Sequence, residues 1–197
     1  PIKSGTVLIV EDEEINLGLI ENILKKSNHK TLKARGGTEA LKVLKNNSGG
    51  VDLILLDLIM PEMNGMELLR QVKDDKNTYN IPVIMLSAVD EMERIIECIA
   101  LGADDFLIKP VNRILLNARI NNSLGKKYFH DKEVLYQDQI KNEQKKTDSL
   151  LLNILPRTIA ERLKDGETLI ADDFKSASVL FADLKGFTAL SSSMNAK

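Results

Sequence analysis

A single cysteine, Cys98, stands among 197 residues, so no disulfide can form within the chain. It sits at helical spacing among Ile95, Ile96, Ile99 and Ala100, with no second cysteine or histidine beside it. A small buried apolar side chain is expected there, not a redox or catalytic thiol. Charge of one sign is missing too. The 27 Lys and Arg nearly balance the 29 Asp and Glu, giving a net charge of −2. That lacks the basic excess of an electrostatic nucleic-acid binder, and no nucleic-acid partner is expected. Long apolar runs are absent. Stretches such as Leu53 to Leu56 fall far short of the roughly 18 residues of a membrane span, and no membrane partner is expected. No leader precedes the first strand, so a cytoplasmic location is expected. Neither an internal repeat nor a low-complexity tract is present.

What remains is a chain that is 43% hydrophobic, enough for a sizeable core but not for two large domains. It begins at Pro1 without methionine and stops at Lys197 soon after a new motif opens, so a piece of a longer protein is expected.

The first ~120 residues alternate two patterns. Apolar runs at Thr6 to Val10, Val51 to Leu56, Ile81 to Leu86 and Phe106 to Ile108 predict strands, with a weaker, half-polar one at His29 to Ala34. Between them, helical spacing predicts helices at about 16–26, 38–46, 66–73 and 91–101. Thr38 is expected to cap the second helix, and Gly102 to close the fourth. Continuous apolar strands alternating with amphipathic helices imply an α/β fold, a parallel sheet covered on both faces. In such sheets the chemistry gathers at the carboxyl ends of strands. The polar residues ending the runs are Glu11, Asp12, Asp57, Ser87 and Lys109, from four strands that would meet on one rim.

Three carboxylates on one rim repel each other unless a cation lies among them. All-oxygen donors of this kind suit Mg²⁺, which keeps several waters and recruits phosphate. A carboxylate can attack phosphorus and form an acyl phosphate. Lys109 would then supply positive charge to the product and Ser87 a hydroxyl donor.

Four motifs occur in order at fitting spacings: VLIVEDE at 7–13, LILLDLIMPEMNG at 53–65, VIMLSA at 83–88 and GADDFLIKP at 102–110. Together they resemble the receiver domains of bacterial response regulators, over about residues 4–124. The resemblance implies five parallel strands in the order 2-1-3-4-5, doubly wound by helices. It implies Asp57 as phosphoacceptor for a cognate histidine kinase. Mg²⁺ would be held by Glu11, Asp12, Asp57 and the backbone carbonyl of Ile59. Ser87 and Phe106 would be the switch pair, with Lys109 as the charged partner and a cis Lys109–Pro110 bond. Glu11-Asp12 replaces the commoner Asp-Asp, Ser87 the commoner Thr, and Phe106 stands where Tyr is also frequent.

From about Asn112 to Ser149 the only glycine or proline is Gly125. Leu124, Tyr128 and Leu135, at spacings of four and seven, give a weak coiled-coil signal on a long helix. A parallel homodimer is expected, with a solvated single helix as the alternative. The expected organisation is a receiver at 1–124, a helical coiled-coil linker at 125–150, a transducing segment at 151–175 and a truncated α+β start at 176–197.

That last piece is read first from its residues. Phe174 to Asp183 reads as a strand ending at an acid, with a carboxylate at the sheet edge. Gly186 permits close backbone approach, and a helix starting near Thr188 would offer free N–H groups to phosphates. LLNILPRTIAERLKDGE at 151–167 followed by SVLFADLKGFT at 178–188 resembles the opening of class III adenylyl and guanylyl cyclase domains. The resemblance implies Asp183 as one of two aspartates holding Mg²⁺ or Mn²⁺, and Gly186, Phe187 and Thr188 near the phosphates. The rest of that site would lie beyond Lys197. A full-length parent is thus expected to be a nucleotide cyclase under receiver control, with ATP favoured over GTP. The alternative is a receiver-controlled dimerisation or binding module carrying a degenerate cyclase-like domain. With so few neighbouring strands, 168–197 are expected to be poorly ordered or to borrow a neighbour.

Overall fold

The structure, a computed structural model, describes residues 4–47, 49–173, 175–176 and 178–181. The chain divides into two compact units, Pro1–Ile140 and Lys141–Lys197.

In the first unit the elements alternate as the hydrophobic pattern predicts. β1 (Thr6–Val10) leads to α1 (Glu14–Lys26), β2 (Lys30–Ala34) to α2 (Gly37–Asn46), and β3 (Leu53–Asp57) to α3 (Gly65–Asp74). β4 (Val83–Ser87) is followed by a 3-10 turn, Val89–Glu91, then α4 (Met92–Ala100), β5 (Asp105–Ile108) and α5 (Arg113–Ile154), whose last residues belong to the second unit. All strand pairs are parallel, in the order β2-β1-β3-β4-β5.

The period-2 geometry of a strand sorts its side chains onto two faces. Leu8, Val10, Ile54, Leu56, Val83 and Met85 join one core layer. Val7, Ile9, Leu53, Leu55, Ile84 and Leu86 join the other. Ala40, Leu68, Leu69 and Cys98 cover the first layer; Leu17, Ile20, Leu24, Leu116 and Ile120 cover the second. The three central strands must therefore be apolar on both faces along their length, with polar residues only at their ends, which is why their sequence shows runs. β2 lies at an edge, and only Ala34 of its five residues is fully buried. Cys98 is buried, as its surroundings predict.

Two helix ends follow local rules. Gly102 takes φ +98°, its N–H donates to Ile99 O at 3.0 Å, and the N–H of Ala103 donates to Cys98 O at 2.9 Å. That pair of bonds closes α4 in a Schellman motif, which favours glycine at the left-handed position. At the start of α3, Asn64 Oδ1 accepts from the N–H of Glu67 at 2.9 Å, and Glu67 Oε2 accepts from the N–H of Asn64 at 3.3 Å. This reciprocal cap, worth about 1 kcal/mol, anchors the loop that follows Asp57.

Three expectations are corrected. Thr38 does not cap α2; Gly36 occupies the N-cap and no side chain accepts a bond there. Leu124 is not in an exposed seam, because it is buried in the core layer with Leu116 and Ile120. Its spacing records packing of α5 on the sheet. None of the described residues within 174–183 is in a strand, and Val179, Leu180 and Phe181 are exposed. A strand needs partners to pair its backbone and cover its side chains, and a lone one has neither.

In the second unit α6 (Arg157–Lys164) closes at Asp165, and Gly166 follows at φ +87°. Arg162 forks onto Glu167, with two 2.6 Å bonds, and reaches Asp172 at 2.8 Å. Among the described residues, no helix is long and apolar enough to cross a membrane.

Candidate functional site

Each polar residue that ends an apolar run stands at the carboxyl edge of the sheet, because parallel strands all end on the same side. Glu11 and Asp12 follow β1, Asp57 closes β3, Ser87 closes β4, and Lys109 follows β5. Asp57 pairs with Leu86 across β3 and β4, and Ser87 pairs with Ile108 across β4 and β5. The strand register alone therefore brings Asp57, Ser87 and Lys109 onto one rim.

Lys109 Nζ lies 2.9 Å from Asp57 Oδ1 and 3.1 and 2.9 Å from the two oxygens of Glu11. Glu11 is 0% exposed and Asp57 is 5% exposed, whereas Asp12 is open to solvent. A buried carboxylate is costly unless paired, and Lys109 serves both. Burial pushes the Asp57 carboxyl up to about 6; its hydrogen bond to Lys109 opposes this, and the charges of Glu11 and Asp12 add to it. Burial pushes the Lys109 ammonium down, but its bonds to Asp57 and Glu11 outweigh that and hold it above the usual lysine range. Lys109 thus stays a fixed cation while Asp57 is a strained anion.

One ligand atom each from Glu11, Asp12 and Asp57 lie within 4.8 Å of one another. Glu11 Oε2 is buried, and its one close partner is the Lys109 ammonium at 2.9 Å, an ion pair without hydrogen-bond geometry. Three converging carboxylates against one ammonium leave negative charge in excess, which fits a hard divalent cation, and the cluster is compatible with Mg²⁺. Asn16 Nδ2 steadies this corner by donating to Glu11 Oε1 at 3.2 Å and Glu13 Oε2 at 2.7 Å.

The loop after Asp57 folds back tightly. The N–H of Gly65 donates to Leu58 O at 3.0 Å, and a Cβ at Gly65 would collide with the carbonyl oxygen of Asp57. Only glycine lets α3 begin this close to the end of β3. Ile59 stands two residues past Asp57 on this loop, its side chain exposed. Phe106, in β5, packs half-buried against the core layer that holds Met85 and Cys98. The Lys109–Pro110 bond is cis. Asp183, Gly186, Phe187 and Thr188 lie outside the described residues.

One participant has no signature in the sequence. Glu91, four residues after Ser87, is 9% exposed and accepts from the Ser87 hydroxyl at 3.0 Å and from the N–H of Ala88 at 2.8 Å. In sequence it is one of several acids in a polar turn; only the 3-10 geometry folds it back onto the end of β4.

The profile of the response regulator receiver domain family matches residues 7–121. Response regulator PleD of Caulobacter vibrioides is 36% identical over 119 residues, 60% of this chain and 26% of that protein. A response regulator receiver domain protein from Clostridium thermocellum superimposes with a TM-score of 0.60 at 30% identity, covering 64% of this chain and 98% of that one. The receiver domain of sensor histidine kinase PA1611 from Pseudomonas aeruginosa PAO1, solved with a magnesium ion in its active-site cleft, superimposes with a TM-score of 0.57 at 25% identity. It covers 62% of this chain and 99% of that chain. The chain spans only 15% of the length of one curated relative, two-component response regulator-like APRR7 of Arabidopsis thaliana, and 32% of another, a cyclic di-GMP phosphodiesterase of Thermotoga maritima.

Proposed function

This chain belongs to the response regulator receiver domain family, and from that premise we propose that Asp57 accepts a phosphoryl group from a histidine kinase and thereby controls a nucleotide cyclase on a longer chain. The observation that carries the first half is the meeting of Asp57 with Glu11, Asp12 and Lys109 on one rim.

In the transfer, an Asp57 carboxylate oxygen forms a bond to phosphorus as the bond from phosphorus to the kinase histidine nitrogen breaks. Glu11, Asp12, Asp57 and the Ile59 carbonyl would hold Mg²⁺, whose charge neutralises the phosphoryl oxygens. Lys109 remains as cation beside the product, and the Ser87 hydroxyl donates to a phosphoryl oxygen. Movement of Ser87 frees room that the Phe106 ring fills, so the face of β5 repacks. Phosphorylation need only shift an existing equilibrium between two arrangements.

The second half rests on LLNILPRTIAERLKDGE and SVLFADLKGFT, which support residues 151–175 as a transducing segment and 176–197 as the start of a class III cyclase domain. Asp183 is assigned to metal, Mg²⁺ or Mn²⁺, and Gly186, Phe187 and Thr188 to phosphate. α5 leaves Phe129, Val134, Leu135, Tyr136 and Ile140 exposed, which supports pairing with the helix of a second copy. ATP is favoured over GTP as the substrate.

The test uses the longer chain, with cyclic nucleotide followed from ATP and from GTP, in Mg²⁺ or Mn²⁺, with and without a small phosphodonor. The expected result is a phosphodonor-dependent rate change that Asp57→Asn abolishes, with ATP the better substrate. No turnover under any condition would leave Asp57 controlling assembly in place of chemistry.

A further inference from the structure

Beyond Leu86, the register partner of Asp57, the chain offers two donors in succession: the Ser87 hydroxyl and the N–H of Ala88. One carboxylate oxygen reaches both, and Ser87 Oγ lies 2.9 Å from the backbone oxygen of Ala88 as well. Glu91 Oε2 lies 3.0 Å from Ser87 Oγ and 2.8 Å from Ala88 N. Ser87 is 0% exposed, so its one hydroxyl proton goes to a protein acceptor, and Glu91 Oε2 shares it with the Ala88 carbonyl. The other oxygen, Glu91 Oε1, is buried and has no hydrogen-bond partner among the described residues.

We propose that Glu91 is an internal competitor of the phosphoryl group: its carboxylate holds the Ser87 and Ala88 donors in the unphosphorylated protein, and phosphorylation of Asp57 displaces it. This rests on Asp57 being the phosphoacceptor. A carboxylate and a phosphoryl group are both anionic acceptors, and one hydroxyl proton cannot serve two of them. They also repel each other, so the product cannot form its bond to Ser87 while Glu91 stays. The unpartnered Oε1 makes Glu91 a poor permanent occupant, since a buried charged oxygen without a donor is costly. Once displaced, the carboxylate regains water. Glu91 ends the 3-10 turn Val89–Glu91, which runs directly into α4. Its release therefore carries the event to α4 by a route separate from Phe106. Glu91 is a positioning residue: it touches Ser87 and Ala88.

Occupied donors lower the apparent affinity for any phosphoryl group by the fraction of molecules in which they are free. The experiment titrates the 197-residue chain in Mg²⁺ with beryllofluoride, which adds to a carboxylate as a tetrahedral phosphoryl analogue. The amide resonance of Ala88 reports the donor itself. Glu91→Ala is expected to lower the half-saturating beryllofluoride concentration about tenfold, and to shift the Ala88 amide in the unliganded chain. Glu91→Gln keeps an acceptor oxygen without charge, and falls between; it carries the test if the alanine variant fails to fold. Asp57-dependent binding with the same half-saturation and the same Ala88 shift in both variants overturns the competitor while leaving the phosphoacceptor standing. Binding that is absent, or that survives Asp57→Asn, overturns both.

Discussion

Asp57→Asn stabilises the metal-free chain at pH 7 by about 2 kcal/mol and removes most of its stabilisation by Mg²⁺. Burial raises the folded-state value of Asp57 to about 6, against 3.8 when free. An acid raised on folding binds more protons folded than unfolded between those values, so it weakens the fold as pH rises through them. Its penalty is absent below about pH 4, grows to about pH 6 and is complete above. Each unit is worth about 1.4 kcal/mol, and relaxation around Asn trims the sum. Lys109 keeps Glu11 as partner in the variant, so no buried cation is stranded. Urea denaturation in EDTA at pH 4 and pH 7 checks this: the two proteins should converge at pH 4 and separate at pH 7. Mg²⁺ at 100 times its dissociation constant should add about 2.7 kcal/mol to the parent and far less to the variant. A variant less stable than the parent at pH 7 would show that Asp57 is not a strained anion.

Gly65→Ala destabilises the fold by about 3 kcal/mol and slows phosphorylation of Asp57. The added carbon would meet the Asp57 carbonyl oxygen, with Leu58 Cα at 2.9 Å and the Asp57 carbonyl carbon at 3.0 Å. All three are backbone atoms, so no flexible side chain can swing aside. Either α3 shifts outward or the end of β3 moves, and the latter carries Asp57 away from Lys109. Gly18→Ala is the matching control, because a Cβ there meets nothing within 4 Å on the helix α1. It should stabilise by roughly 0.5–1 kcal/mol through helix propensity. Urea midpoints of the two variants should therefore move in opposite directions. A Gly65→Ala midpoint equal to the parent's would mean the loop yields freely and does not hold Asp57 in place.

The sheet and its rim were readable because burial on both faces leaves little freedom. The interiors of β1, β3 and β4 admit only apolar side chains, so a polar residue at the end of such a run marks the edge where the core stops. Asp57 and Lys109 stand out for that reason. Glu91 does not, since its role depends on a short turn whose backbone path no periodicity encodes. Leu124 shows a different limit: spacing reveals that a helix has an apolar face but not which surface covers it, and here the sheet does. Thr38 was a reasonable cap by residue type, yet the chain enters α2 through Gly36. Val179, Leu180 and Phe181 have the composition of a strand, but pairing is a property of neighbours.

The most direct measurement is peptide mapping by mass spectrometry after incubating the chain with Mg²⁺ and a small phosphodonor such as acetyl phosphate. The predicted result is one base-labile phosphoryl group on the peptide containing Asp57, not formed when EDTA is present from the start and absent from Asp57→Asn. No incorporation, or a phosphoryl group that persists in Asp57→Asn, would contradict the assignment of Asp57 as the phosphoacceptor.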